Sequence, residues 1–255
     1  PYCMIALSAH NLSVHSGDKI RLKDLSIEIE AGSRVAIIGP NGAGKSTALQ
    51  ALLQLIPAQF TDLIYFEQSA QSLSRKALAK LVAYVPQTHP TLHITVWDWC
   101  VYARFPYQKL GFFLSQDEFN VIEHILESTQ LIQYKNTPLS HLSGGERQRA
   151  FIAGALCQET PIIFLDEPTN FLDPKQAHEL LTLIHDTSVN LNKTIISVTH
   201  DVNEVMHYFT HCLAIKNGQQ LFYGKTQDVI HSDNLFDLYH YRFTEATSEQ
   251  GVIFW

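Results

Sequence analysis

The residues Gly39-Pro40-Asn41-Gly42-Ala43-Gly44-Lys45-Ser46-Thr47 combine glycines, a lysine and two hydroxyls at the spacing G-x-x-x-x-G-K-[ST]. Glycines let the backbone curl so that successive N–H groups converge on an anion, and an adjoining helix N-terminus adds partial positive charge. In that geometry Lys45 reaches the β- and γ-phosphates of a nucleotide and the Ser46 hydroxyl ligates Mg²⁺. The plain alternative is a glycine-rich turn with an incidental Lys-Ser pair. Against it stand the β-branched run Arg34–Ile38 before the loop and the helical pattern from Lys45 to Leu55 after it. Further along, Ile162-Ile163-Phe164-Leu165 leads into Asp166-Glu167. Such a run reads as a strand buried on both faces, with its acids at the edge where open parallel sheets place ligands. Asp166 is the candidate holder of Mg²⁺, largely through water. Glu167, pointing the other way, is the candidate to polarise an attacking water.

Leu142-Ser143-Gly144-Gly145-Glu146-Arg147-Gln148-Arg149 offers the Ser143 hydroxyl and the open N–H groups of Gly144 and Gly145 at a helix entry. With the carboxylate strand following it, this stretch resembles the signature motif of ABC transporter ATPases. The resemblance covers nearly the whole chain. It implies ATP and Mg²⁺ as cofactors, with Ser143, Gly144 and Gly145 contacting ATP held by a second copy of the chain. Gln87, after the strand Leu81–Val85, matches the glutamine that contacts Mg²⁺ and water and senses the permease. Asn170-Phe171-Leu172-Asp173 matches the loop that crosses the dimer interface, which places Asp173 there. His200, past the strand Thr194–Val198, matches the histidine that contacts the γ-phosphate. One element departs: the family's adenine-stacking aromatic position falls on Ser16, with His15 beside it.

The resemblance further implies an integral membrane permease as partner, a substrate-binding protein met indirectly, and no nucleic acid. Such a subunit is peripheral, on the cytoplasmic face of the bacterial inner membrane. Tyr102-Ala103-Arg104-Phe105-Pro106-Tyr107 resembles the Gly-Arg-x-Pro-His stretch of importer ATPases for iron-siderophores, haem and cobalamin, with Ala103 and Tyr107 replacing Gly and His. Leu156-Cys157-Gln158-Glu159-Thr160 resembles the same branch. Zinc or manganese import is the nearest alternative, and a soluble ABC ATPase of the iron–sulfur assembly type is another. Trp97 and Trp99 read as core and interface aromatics, in the region where family members dock the permease.

The elements that must position these residues follow from periodicity. Leu25, Ile27 and Ile29 alternate with Ser26, Glu28 and Glu30, a half-buried antiparallel strand. A short helix at Arg75–Lys80 precedes the strand ending at Val85. The pattern from Thr95 to about Cys157 is mostly helical, with apolar residues at Val121, Ile122, Ile125 and Leu126. A helix over Gln176–Asn190 separates the strands Ile162–Leu165 and Thr194–Val198. Asn217-Gly218 marks a hairpin between Leu213–Lys216 and Gln219–Tyr223. The expected architecture is α/β: a P-loop NTPase core with a mainly parallel sheet, an antiparallel N-terminal β-subdomain and an inserted α-helical subdomain. One ABC ATPase domain is expected over 1–255, with the core at 1–88 and 158–255 and the insertion at about 89–157.

The 255 residues carry a net charge of −7 with no basic cluster, which argues against a nucleic-acid binder. Apolar runs such as Pro161–Leu165 are too short to span a bilayer, and the first residues lack a signal-peptide pattern. Cys3, Cys100, Cys157 and Cys212 have no paired spacing and read as thiols of a reducing compartment. His207 and His211 have the i, i+4 spacing of helical metal ligands but no third ligand, so a solvated helix face is expected there.

Overall fold

The alternation at Leu25–Glu30 builds one edge of the molecule. The computed structural model describes residues 4–90, 92–107, 114–248 and 251–255. Its first two strands, β1 (Ile5–Ser16) and β2 (Lys19–Glu30), pair antiparallel through a turn at Gly17, φ 58°. On β2 the residues Leu25, Ile27 and Ile29 are buried while Glu28 and Glu30 face water, as a side-chain period of two dictates. β1 lacks that alternation. Ala6–Ala9 are buried in succession, and the register shifts around Asn11, which takes φ 54°.

β3 (Arg34–Ile38) then enters the interior, and the glycine loop follows it into α1 (Lys45–Leu52). The helical pattern that reaches Leu55 in the sequence stops earlier. Leu55 N–H donates to Gln50 O at 2.9 Å and Gln54 takes φ 54°, a left-handed helix close. β4 (Asp62–Tyr65) and β5 (Gln68–Ser69) extend the sheet beyond β1, and α2 (Arg75–Leu78) leads into β6 (Val82–Val85).

The next described elements are helices: α3 (Val96–Ala103), α4 (Gln116–Ser128) and α5 (Gly144–Cys157). The near-continuous helical pattern is therefore broken. Arg104 turns the chain into a 3-10 turn over Phe105–Tyr107 that contains Pro106. At the end of α4, Thr129 Oγ1 donates to Ile125 O at 2.7 Å and Gln130 takes φ 58°. Each helix starts on a reciprocal cap: Thr95 with Asp98, Ser115 with Glu118, Ser143 with Glu146. Each such N-cap contributes about 1 kcal/mol.

The remainder is β7 (Ile162–Asp166), α6 (Pro174–Leu191), β8 (Thr194–Val198), α7 (Val202–Tyr208), β9 (His211–Lys216) and β10 (Gln219–Lys225). After these come α8 (Thr226–Val229), α9 (Ser232–Tyr239) and a separate hairpin of β11 (Glu245–Ser248) and β12 (Gly251–Phe254). Asn217 and Gly218, at φ 50° and 74°, make the two-residue turn of the β9–β10 hairpin.

One mixed sheet runs β5-β4-β1-β2-β10-β9-β3-β8-β7-β6. Its β9-β3-β8-β7-β6 half is parallel, its β5-β4-β1-β2 half antiparallel, and β10 joins them through Gln219 opposite Lys23. Every residue of β7 and β8 is buried, which explains the apolar run Ile162–Leu165 and the short side chains of the two polar residues of β8, Thr194 and Ser197.

Arg104 ties the helices to this sheet. Its buried guanidinium pairs with Glu159, donates to Cys157 O at 2.8 Å and lies 3.9 Å from Glu118. Trp99 faces inward rather than outward: its ring meets Phe151 edge-on at 5.0 Å and covers Gly154. The cysteines are less scattered in space than in sequence. Cys100 and Cys157 are buried with their thiols in hydrogen-bonding contact, Cys212 is buried elsewhere, and Cys3 lies outside the described residues.

A Cβ on Gly154 would stand 2.2 Å from Trp99 Nε1, so the indole has to move if one is added. Gly154→Val should cost about 1–3 kcal/mol through overpacking. Urea unfolding checks this, and an unchanged midpoint would show that Trp99 is free to yield.

Candidate nucleotide site

The parallel strands end together at one edge of the sheet, and the expected site residues follow those ends. Register pairs Ile37 with Val198, Val198 with Asp166, and Leu165 with Val85. One residue beyond that row come Glu167 and Gln87; two beyond come Gly39 and His200. Gly39 (φ 150°) has its Cα so close to β9 that a Cβ would meet Ile215 O at 2.1 Å. Gly42 and Gly44 take φ 77° and 107°, conformations that glycine adopts without strain.

A cleft of about 640 Å³ lies over this edge, lined by Asn41, Gly42, Gly44, Lys45, Ser46 and Thr47 of the loop together with Gln87, Glu167, Asn170, His200 and Arg21. Lys45 is buried and folded over its own loop, donating to Gly39 O at 2.8 Å and Pro40 O at 3.1 Å. Desolvation pulls its pKa down, opposed by the charges of Glu167 and Asp166. Ser46 Oγ donates to Asp166 Oδ1 at 3.3 Å. Asp166 is also buried, and desolvation raises its pKa against the Ser46 hydrogen bond. Glu167 sits at φ 49°, an unusual backbone for a non-glycine residue. Its Oε2 accepts from Gln87 Nε2 at 2.7 Å and from Asn170 Nδ2 at 3.1 Å. His200 is exposed at the rim, on a turn held by Thr199 Oγ1 donating to Glu204 at 2.7 Å.

Ser143, Gly144 and Gly145 do not line this cleft. Ser143 N-caps α5, its hydroxyl donating to Glu146 Oε2 at 2.6 Å, and that bond is the main cause of the lowered Glu146 pKa. Gly145 lies under the Gln176 side chain, where a Cβ would come within 2.9 Å. Asp173 also stands outside the cleft and caps α6 by accepting from Gln176 N–H at 2.9 Å. Beyond Gln87, His89 stacks on Phe151 at 3.5 Å and meets Gln148 at 3.1 Å, which attaches this segment to α5.

One expectation requires correction. His207 and His211 do not share a helix: His207 is on α7, while His211 is a half-buried strand residue stacked on Tyr223 at 6.1 Å. No cluster of metal-ligating His, Cys, Asp or Glu occurs among the described residues. His15 and Ser16 are exposed on β1 and do not reach the cleft, whereas Arg21 of β2 does. Arg21 belongs to no motif; pairing of β2 with the sheet brings it in.

A glycine loop joining a buried strand to a helix, with a carboxylate strand two places along the sheet, defines a P-loop nucleotide hydrolase. The family model for ABC transporters matches residues 22–170. The chain belongs to that family, as one of its ATP-hydrolysing subunits. It is 34% identical over 233 residues to the iron(3+)-hydroxamate import ATP-binding protein FhuC of Bacillus subtilis, covering 91% of this chain and 87% of that protein. An ABC transporter assigned to the metal-chelate type, solved facing inward, superposes with a TM-score of 0.85 at 25% identity, covering 98% of this chain and 96% of that one. The dimeric ATP-binding cassette MJ0796, bound to ADP and Pi after hydrolysis, superposes at 0.75 with 26% identity, over 86% of this chain and 98% of that one.

Glu204 tests the electrostatics of the His200 turn. Burial raises its pKa, with the Thr199 and Thr169 hydrogen bonds opposing. A raised folded pKa penalises the charged form, so this residue's contribution to stability is lost as pH climbs above its ordinary value of 4.5. Glu204→Gln keeps an acceptor for Thr199 and removes the charge. Its urea midpoint should rise relative to the parent's between pH 4.5 and pH 8. A difference that stayed flat or fell would contradict this assignment.

Proposed function

We propose that this chain is the motor of an importer for a metal chelate, foremost an iron siderophore, and that its ATP sites form between two copies. One observation carries the composite site: the cleft gathers Lys45, Ser46, Gln87, Glu167 and His200, while the Ser143-Gly144-Gly145 helix entry faces elsewhere. An exposed hydroxyl and exposed Gly144 at a helix N-terminus suit a phosphate brought from outside. The dimeric relative bound to ADP and Pi supports the same arrangement. Asp173 would lie at that interface.

Within the cleft, Gly39–Thr47 would wrap the phosphates and Lys45 would swing from the Gly39 and Pro40 carbonyls onto the β- and γ-oxygens. The oxygen donors fit Mg²⁺, which takes few protein ligands and keeps several waters. Ser46 and Asp166, already 3.3 Å apart, would hold it with Gln87. When bound, the cation would neutralise phosphate charge. Glu167, steadied by Gln87 and Asn170, would take a proton from the attacking water, and His200 would contact the γ-phosphate.

The cargo reading rests on the hydroxamate-import relative and on the metal-chelate neighbour. No helix among the described residues is long and apolar enough to cross a membrane. The import relative supports a membrane permease as partner, with this subunit peripheral on the cytoplasmic face and a substrate-binding protein delivering cargo on the other side. Tyr102 on α3 and Phe105 just past it, 54% and 61% exposed, would form the aromatic surface for that permease, while Trp99 of the same helix packs inward on Phe151.

Glu167→Gln should lower ATP turnover about 10²-fold or more while ATP binding survives. Gel filtration should then show an ATP-dependent shift to double mass; turnover near the parent rate would remove Glu167 as the base. Composite sites predict complementation. Lys45→Ala and Ser143→Ala chains should each be inactive alone, whereas mixing them restores one intact site per heterodimer. Mixtures as inactive as the separate variants would place both residues at one site within one chain.

A further inference from the structure

Among the described residues that line the cleft there is no Phe, Tyr or Trp, although a nucleotide bound by Gly39–Thr47 brings a flat base with it. Outside the phosphate loop, Arg21 is the lining residue with a fixed positive charge. Its guanidinium is exposed and makes no hydrogen bond or ion pair among the described residues. Its backbone, by contrast, is held tightly. A Cβ on Gly44 would lie 2.9 Å from Arg21 O, and one on Gly218 would lie 2.8 Å from it. Gly218 N–H donates to Ala43 O at 2.8 Å, and Lys23 N–H donates to Gly218 O at 2.7 Å. The phosphate loop, the β9–β10 turn and β2 are thus locked together, with Arg21 lining the cleft beside the phosphate loop and exposed there.

We infer that Arg21 is the platform on which the nucleobase rests, its planar guanidinium stacking on the ring. The inference builds on the phosphate-loop reading above. Guanidinium and base are both flat, and a cation over a π-face gains electrostatic as well as contact energy. A residue anchored by its backbone and free at its tip suits this role, because stacking needs the plane to adjust to the ring. Stacking reads the face of a base rather than its edge, so Arg21 supplies affinity with little choice between purines.

The test separates base from phosphate contacts. Binding of magnesium ATP and of magnesium tripolyphosphate, which carries the phosphates without the base, is measured by calorimetry on the full chain. Arg21→Ala should weaken ATP about 10-fold and leave tripolyphosphate within about 2-fold. Arg21→Lys, a point charge without a plane, should not restore ATP affinity, whereas Arg21→Trp should. Equal losses for both probes would make Arg21 a phosphate ligand, and no loss for either would remove it from the site; each overturns the proposal. Lys45→Ala, which should weaken both probes, reports on the phosphate loop separately. A parent chain that bound neither probe would sink that reading and the platform with it.

Discussion

The register of three buried parallel strands is the constraint on which the site depends. β3, β8 and β7 present Ile37, Val198 and Asp166 in one row, and β6 sets Val85 beside Leu165. All five residues of β7 and of β8 are buried, so each apolar side chain contributes about 1.5–3 kcal/mol in this register. A slip of one residue would turn each side chain to the opposite face and carry Asp166 off the row. Packing far larger than any single polar contact therefore sets where Gly39, Gln87, Glu167 and His200 emerge.

Upon that frame the site holds two poorly solvated charges. Lys45 is desolvated and occupied with its own loop's carbonyls, and Asp166 is desolvated, with the Ser46 hydroxyl as its hydrogen-bond partner. A cation beside Asp166 and a phosphate beside Lys45 would relieve both penalties at once, a physical reason for the site to prefer the metal–nucleotide complex over either part. The left-handed Glu167 backbone belongs to the same economy of position, since it separates two adjacent acids into different surroundings.

The helix α5 carries relations in several directions. Through Gly145 it lies under Gln176 of α6; through Phe151 and Gln148 it receives His89, two residues past Gln87; through Gly154 it receives Trp99. Arg104 fixes the end of α3 to the turn before β7. Trp99 and Arg104, on either side of exposed Tyr102, thus connect this surface to α5 and to the turn before β7.

Much of this was legible in the residues alone, for reasons that are local. Glycines at required conformations, caps such as Ser143 with Glu146, an Asn-Gly turn and short β-branched or apolar strands each act within a few residues of themselves, so Gly39–Thr47, β3, β7, β8 and the β9–β10 hairpin could be read directly. Boundaries were less legible: α1 stops at Leu52 because Gln54 turns left-handed, and the helical stretch after Thr95 breaks at Arg104 and Thr129 through hydrogen bonds that periodicity does not encode. Contacts between distant segments were decided only by the tertiary structure. The inward turn of Trp99, the meeting of Cys100 with Cys157, the separation of His207 from His211 and the arrival of Arg21 at the cleft all depend on which surfaces the sheet and helices bring together. Arg21 shows the reason most plainly: on an exposed strand its spacing carries no message, and only the pairing of β2 with the β9–β10 turn and the glycines beside it set it against the phosphate loop.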